Sequence, residues 1–228
     1  MKTKSNFKTP KTLSFSFFLF LLAITVTSMI SCNKNSDNAN VSANVMAVNS
    51  AQASSPQDFY VDNAKVNSSA IAYTQNSGYT SIGSGNHAAQ FKTSATASVN
   101  TSFNFSASPA AYYTVVFTDN NTASTYQNDR TTPQSNNARV RFINVSSALT
   151  GNVDFANNTG ASVVAGLAYK AASAYSEIAA GTTFKLSASG SSTVLLNIPV
   201  TLQAGHIYTI FISGATSATI TYTLVAES

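Results

Sequence analysis

The chain has 228 residues, with 12 Lys or Arg against 8 Asp or Glu, two histidines, one cysteine and no tryptophan. One cysteine excludes an internal disulfide framework, and the absence of any HxH, HExxH or Cys cluster excludes a transition-metal site of the usual spacing. The net charge of +4 would suit an anionic partner such as nucleic acid, but four of the lysines fall within the first eleven residues.

Those four, Lys2, Lys4, Lys8 and Lys11, precede the apolar run Leu13 to Val26. A charged segment followed by a short apolar one is the pattern of an export signal. The run has about 14 residues where a membrane-spanning helix needs about 20, so cleavage is expected rather than a permanent span. Ser28-Met29-Ile30-Ser31-Cys32 resembles a bacterial lipobox. The resemblance implies a signal peptide over residues 1–31 and a thioether from Cys32 to diacylglycerol. The alternative is ordinary secretion with Cys32 a plain residue, but a lone thiol in an oxidising compartment has no internal partner. The exported chain of 197 residues then carries eight basic and eight acidic side chains, and nucleic acid is not an expected partner.

Residues 32–42 are expected to form a tether which, as a flexible coil, would span about 20 Å. Beyond it the chain is rich in Ser, Thr, Asn and Ala, and its apolar residues come in short runs of period two. Phe184-Lys185-Leu186-Ser187 and Ile220-Thr221-Tyr222-Thr223-Leu224 alternate as half-buried strands do, whereas Ile207 to Ile212 is nearly continuous, as in a strand covered on both faces. Runs spaced by about 8–12 residues favour a sandwich.

Several segments recur about 95 residues apart. Val48-Asn49 matches Ile143-Asn144, Asp58-Phe59 matches Asp154-Phe155, and Ala72-Tyr73 with Tyr79 matches Ala168-Tyr169 with Tyr175. Tyr113 to Phe117 matches Tyr208 to Ile212. The expected architecture is therefore all-β: two tandem immunoglobulin-like β-sandwich domains after a cleaved signal helix. The first covers residues 43–130 and the second 138–228, joined by a Pro-containing polar linker over 131–137.

Ala138-Arg139-Val140-Arg141-Phe142-Ile143-Asn144, then Val153-Asp154-Phe155, then Leu202 to Phe211 resemble the repeats of the domain-of-unknown-function 4397 family. In the first repeat Asn44 to Asn49 lacks the Arg pair, while Asp58 to Asn63 follows the second segment more closely. The resemblance implies sandwich modules in exported, lipid-anchored proteins, and brings no catalytic residues with it.

Candidate chemistry is sparse. His87, beside Gly83-Ser84-Gly85, and His206 read as exposed turn residues rather than bases. Asp58, Asp62 and Asp154 recur with the repeat; a calcium site or an acid–base pair is weighed against strand starts and a turn in which Asp62 bonds its own backbone. Tyr60, Tyr73, Tyr79, Tyr112, Tyr113, Tyr126, Tyr169 and Tyr175 could stack on sugars, although packing is the default for strand tyrosines. The reading is a non-enzymatic, lipid-anchored cell-envelope protein, placed at the outer membrane, with a structural or protein-interaction role. It takes no cofactor or metal and has no catalytic residues, and its partners are the membrane, through Cys32, and a protein or glycan. The alternatives are a glycan-binding lipoprotein of a nutrient-uptake system and an envelope enzyme.

Overall fold

The computed structural model describes Lys4 and residues 41–227. Cys32, the expected signal peptide apart from Lys4, and the tether as far as residue 40 lie outside the described residues. The first repeat supplies β1 (Ala43–Asn49), β2 (Gln57–Val61), β3 (Ala64–Lys65), β4 (Asn76–Ile82), β5 (Gly85–Thr93), β6 (Val99–Ala107), β7 (Tyr112–Thr118) and β8 (Thr122–Asn128). The second repeats them one for one as β9 (Asn137–Asn144), β10 (Val153–Asn157), β11 (Ser162–Leu167), β12 (Ser176–Ala179), β13 (Phe184–Ala188), β14 (Val194–Ile198), β15 (Ile207–Ser213) and β16 (Thr221–Ala226).

Each set forms two four-stranded sheets, β4-β1-β7-β8 over β3-β2-β5-β6 and β12-β9-β15-β16 over β11-β10-β13-β14. The alternation legible in the sequence builds them: Phe184 and Leu186 point inward from β13 while Lys185 and Ser187 stay half-exposed. Asp62 and Asn63 both take positive φ, 49° and 66°, and so form the primed turn that matches the twist of the β2–β3 hairpin. Phenylalanines fill the two interiors. Phe91 lies 4.8 Å from Phe59 and 5.1 Å from Phe117 in the first, and Phe142 lies 4.2 Å from Phe155 and 5.0 Å from Phe184 in the second.

The recurring residues are anchors of this fold. Asn49 and Asn144, both fully buried, end the first strand of each sandwich. Asn49 donates to the Ile71 carbonyl at 3.1 Å and accepts the Ala51 N–H; Asn144 donates to the Leu149 carbonyl at 3.1 Å and accepts the Ser146 N–H. Thr74 and Lys170, after the matched Ala-Tyr pairs, adopt φ of 65° and 60° and donate N–H to the carbonyls of Asn49 and Asn144.

A third apolar layer joins the sandwiches within the compact unit formed by residues 40–228. Met46, Val48 and Val116 of the first pack with Ile143, Val145, Phe211 and Val225 of the second, flanked by Tyr79 and Tyr126. Every residue of β15 is buried, and its second cover is the sister sandwich. The order of layers is outer sheet, inner sheet, inner sheet, outer sheet. Each large apolar side chain so buried contributes about 1.5–3 kcal/mol relative to exposure, before ordering costs. The connection after β8 is pinned to the second sandwich: Arg139 meets Asp129 at 2.7 Å and the Thr131 carbonyl at 2.8 Å, and the Gln134 N–H donates to Glu177 at 3.2 Å.

Phe211→Ala empties the centre of this layer and is expected to cost about 3–5 kcal/mol, seen as a fall in the urea midpoint. Calorimetry of the unaltered protein should show one transition; two resolved transitions would contradict a shared layer.

Candidate functional site

The acid–base candidates are internal braces. His87 is not the exposed turn residue expected from its glycine-rich neighbours. It lies on β5, 8% exposed, because the same alternation that buries Ala89 and Phe91 turns it inward. Its Nδ1 stands 2.7 Å from Asp62 Oδ2 and its Nε2 2.9 Å from the Gly83 carbonyl. A base paired to a carboxylate would work through Nε2, and here the Gly83 carbonyl holds that atom. Asp62, expected to bond its own turn, instead reaches across to β5, accepting from His87 and from the Ala88 N–H at 3.0 Å. Those two bonds hold its carboxyl below the usual range. His206 sits half-buried just before β15, 6.1 Å from the Tyr208 ring.

The other two matched aspartates sit on strands at second positions, far from chemistry of this kind. Burial pushes the Asp58 carboxyl up, but Lys65 at 2.8 Å and Asn67 at 3.1 Å outweigh it and leave it lowered. Asp154 accepts the N–H groups of Gly166 at 2.7 Å and Gly190 at 3.0 Å, which lowers it too. Among the described residues no group of three or more His, Cys, Asp or Glu could hold a metal ion.

The strongest polar constellation lies between the sandwiches. Arg141, 3% exposed, donates from Nε to Thr209 Oγ1 at 2.9 Å and from Nη1 to the Gln127 carbonyl at 2.8 Å. Its Nη2 reaches Asn128 Oδ1 at 2.6 Å and Glu227 Oε1 at 3.2 Å. Glu227 also accepts from Thr209 and, at 2.8 Å, from the Tyr175 hydroxyl. The first sandwich carries the same arrangement in neutral form: Asn128 donates to Thr114 Oγ1 at 2.8 Å and to the Tyr79 hydroxyl. Burial pushes the Tyr79 and Tyr175 hydroxyls up, and the Glu227 carboxylate adds to it. The Tyr175 hydroxyl donates to Glu227 and the Tyr79 hydroxyl accepts from Asn128, so the cluster ties the two sandwiches together.

The tyrosines that could stack on sugars divide accordingly. Tyr126 donates to the Lys170 carbonyl at 3.1 Å and Tyr73 shares a 3.0 Å bond with Ser213, both across the junction. Lys92 covers the Tyr60 ring at 4.1 Å, and Lys170 lies over Tyr169 at 5.4 Å. Tyr113 is buried. Tyr112 lines an open concavity of about 610 Å³ with residues 108–111 and with Gln127, Asn128, Asp129 and Arg130. A second concavity of about 440 Å³, among Pro56, Ala70 and Thr93 to Thr96, has no ionisable lining.

Residues 43–156 and 147–228 each match the family described as Domain of unknown function (DUF4397). No curated protein matches the chain. Among solved structures, a family 26 carbohydrate-binding module from Eubacterium rectale Amy13K, crystallised with maltoheptaose, shares 10% identity. That alignment has a TM-score of 0.31 and covers 81% of this chain and 97% of that one. A family 41 carbohydrate-binding module from streptococcal virulence factors shares 11% identity with a TM-score of 0.27, over 77% and 95% of the two chains. The Bacillus anthracis TIE protein shares 11% with a TM-score of 0.25, over 77% of this chain and 34% of its own. At such identities the likeness concerns all-β architecture alone.

Glu227→Ala strands a buried guanidinium and is expected to cost about 3–5 kcal/mol in urea unfolding. Arg141→Met with Glu227→Asn copies Met46 and Asn128 of the first sandwich. The pair should cost less than its single changes added together, by about 1 kcal/mol or more.

Acid should weaken the fold in a defined window. Arg139 and the Thr131 donors hold the Asp129 carboxyl far below its ordinary range, and Asp58 and Asp154 are depressed as well. A depressed carboxyl contributes stability in full above its unfolded value of about 3.9, and loses it as pH falls through the lower folded value. Asp129→Asn should therefore lower the urea midpoint at neutral pH, with the gap to the unaltered protein closing below about pH 4; a constant gap would separate the effect from charge.

Proposed function

The chain belongs to the DUF4397 family, a domain of unknown function, and from that footing we propose that it is a non-enzymatic structural or protein-interaction module of the cell envelope, held to the outer membrane by lipid on Cys32. One observation carries the non-enzymatic part: the groups that could do acid–base work are spent on bracing the fold. The Asp62–His87 pair ties a hairpin to β5, with Nε2 of the imidazole taken by a backbone carbonyl. Asp154 ties β11 at Gly166 to the turn at Gly190, and Glu227 sits in the closed network around Arg141.

The anchoring part is supported by the sequence, from Lys2, Lys4, Lys8 and Lys11 through the apolar run to Ser31-Cys32. More than one acyl chain gives stable attachment where a single chain binds only marginally. An interaction role is supported by the outer sheets, whose strands β6 and β14 lie at free edges. Val99 on β6 and Val194 and Leu195 on β14 are exposed large apolar residues, at 53%, 44% and 41%. Such an edge can be extended by a partner strand.

Cell fractionation of the unaltered protein and Cys32→Ser tests the proposal. The unaltered protein should enter the detergent phase and sediment with membranes, and the variant should be released in soluble form. Both proteins soluble would overturn the anchor. Surface protease on intact cells then decides the face: cleavage supports an outward interaction module, and resistance of membrane-bound protein places its partner in the periplasm.

A further inference from the structure

The larger concavity carries a positive charge that has no carboxylate partner among the described residues. Its wall holds Arg130, whose guanidinium lies 4.7 Å from the centre of the Tyr112 ring and 5.5 Å from that of Tyr79. The two rings meet edge to face at 5.1 Å and so form a firm seat for it. Arg130 also interacts with the Tyr79 hydroxyl, but among the described residues it enters no ion pair, and its buried Nη1 has no hydrogen-bond acceptor. The neighbouring carboxylate cannot serve. Asp129 is engaged by Arg139 at 2.7 Å and by the Thr131 N–H and hydroxyl at 2.9 and 2.6 Å. A buried N–H without an acceptor is uncommon in a native fold and calls for an explanation.

The second sandwich supplies a comparison inside the same chain. Its β15–β16 ladder has the register of β7–β8: Tyr113 faces Gln127, and Tyr208 faces Ala226. Ile207 thus stands where Tyr112 does, and Ala226 where Gln127 does, so the second sandwich lacks this ring and the amide, while Tyr175, the match of Tyr79, lies under Arg139 and Arg141. Gly205 at φ 83° stands where Ala110 holds φ 59°, a conformation that opposes a Cβ. The first repeat keeps a strained wall at Ala110 and, in Tyr112 and Gln127, lining side chains that the second repeat lacks.

We propose that this concavity binds a small monocarboxylate bearing hydroxyl groups, of hexuronic-acid size, with Arg130 as the charge-pairing residue. A volume of about 610 Å³ falls within the range of small-molecule sites. A carboxylate matches the guanidinium fork in both prongs. Once the last side-chain torsions turn, it supplies both the missing countercharge and the missing acceptor. One unbalanced cation beside an occupied aspartate suits a single negative charge better than a doubly charged phosphate. The Gln127 amide and Ser108 hydroxyl, neither spent on a hydrogen bond among the described residues, stand ready for ligand hydroxyls. The assignment is independent of the anchor at Cys32.

Titration calorimetry of the full-length protein with D-glucuronate, D-glucose and inorganic phosphate tests it. Glucuronate should bind with a sub-millimolar Kd, about tenfold or more tighter than glucose or phosphate. Arg130→Gln should weaken it about tenfold, and Arg130→Lys less, since the charge remains and the fork is lost. Gln127→Ala, at an exposed position, should weaken it about threefold with an unchanged melting temperature, which keeps the test decisive if Arg130 variants fold poorly. Glucose binding as tightly as glucuronate, phosphate binding more tightly, no glucuronate binding below 10 mM, or full affinity in folded Arg130→Gln or in Gln127→Ala would each overturn the proposal.

Discussion

Arg141 keeps a charge out of water only while both sandwiches stay in contact. Two of its acceptors, the Gln127 carbonyl and Asn128 Oδ1, belong to the first sandwich, and two, Thr209 and Glu227, to the second. Removing such an ion pair from water costs several kcal/mol per charge, offset only if every donor and lone pair is met. Sliding the inner sheets by one strand position would leave a buried guanidinium half-paired. The apolar layer of Met46, Val48, Ile143 and Phe211 supplies attraction without direction, and the ionic network supplies register. In the first sandwich Met46 and Asn128 occupy the corresponding places, so apolar and neutral side chains changed together where a charged pair stands in the second.

That division explains what could be read from residues alone. Period-two alternation in β13 and the continuous apolar run of β15 follow directly from which faces are dry, and both were legible. Alternation reports that a face is buried, however, and not what buries it, so the apolar layer shared by the two inner sheets was not legible in the strand pattern. His87 was misplaced because Gly83 and Gly85 signal a turn, yet Gly85 is the first residue of a strand whose next inward position is 87.

The Arg141–Glu227 pair escaped notice for a geometric reason. Matched strands run at an offset of 95 or 96 until the last turn, where three residues, 119–121, are replaced by seven, 214–220. Asn128 and Glu227 therefore stand 99 apart and fall off the repeat. Two alternating arginines in a strand of a chain with 9% charged residues were the available signal, since a charge between apolar neighbours needs a partner wherever the strand is covered on both faces. The concavity beside Tyr112 was beyond such reading, because it is assembled from two loops brought together only by the β7–β8 hairpin.

The position of β1 has a mechanical meaning. It is the middle of its sheet, flanked by β4 on one side and by β7, running parallel to it, on the other. A pull arriving at Ala43 along the strand axis loads both hydrogen-bond ladders in shear, so they must fail together rather than peel one bond at a time. Strain is passed at once into β7 and the apolar layer behind it. The end of the folded unit nearest the expected anchor is thus built to carry tension.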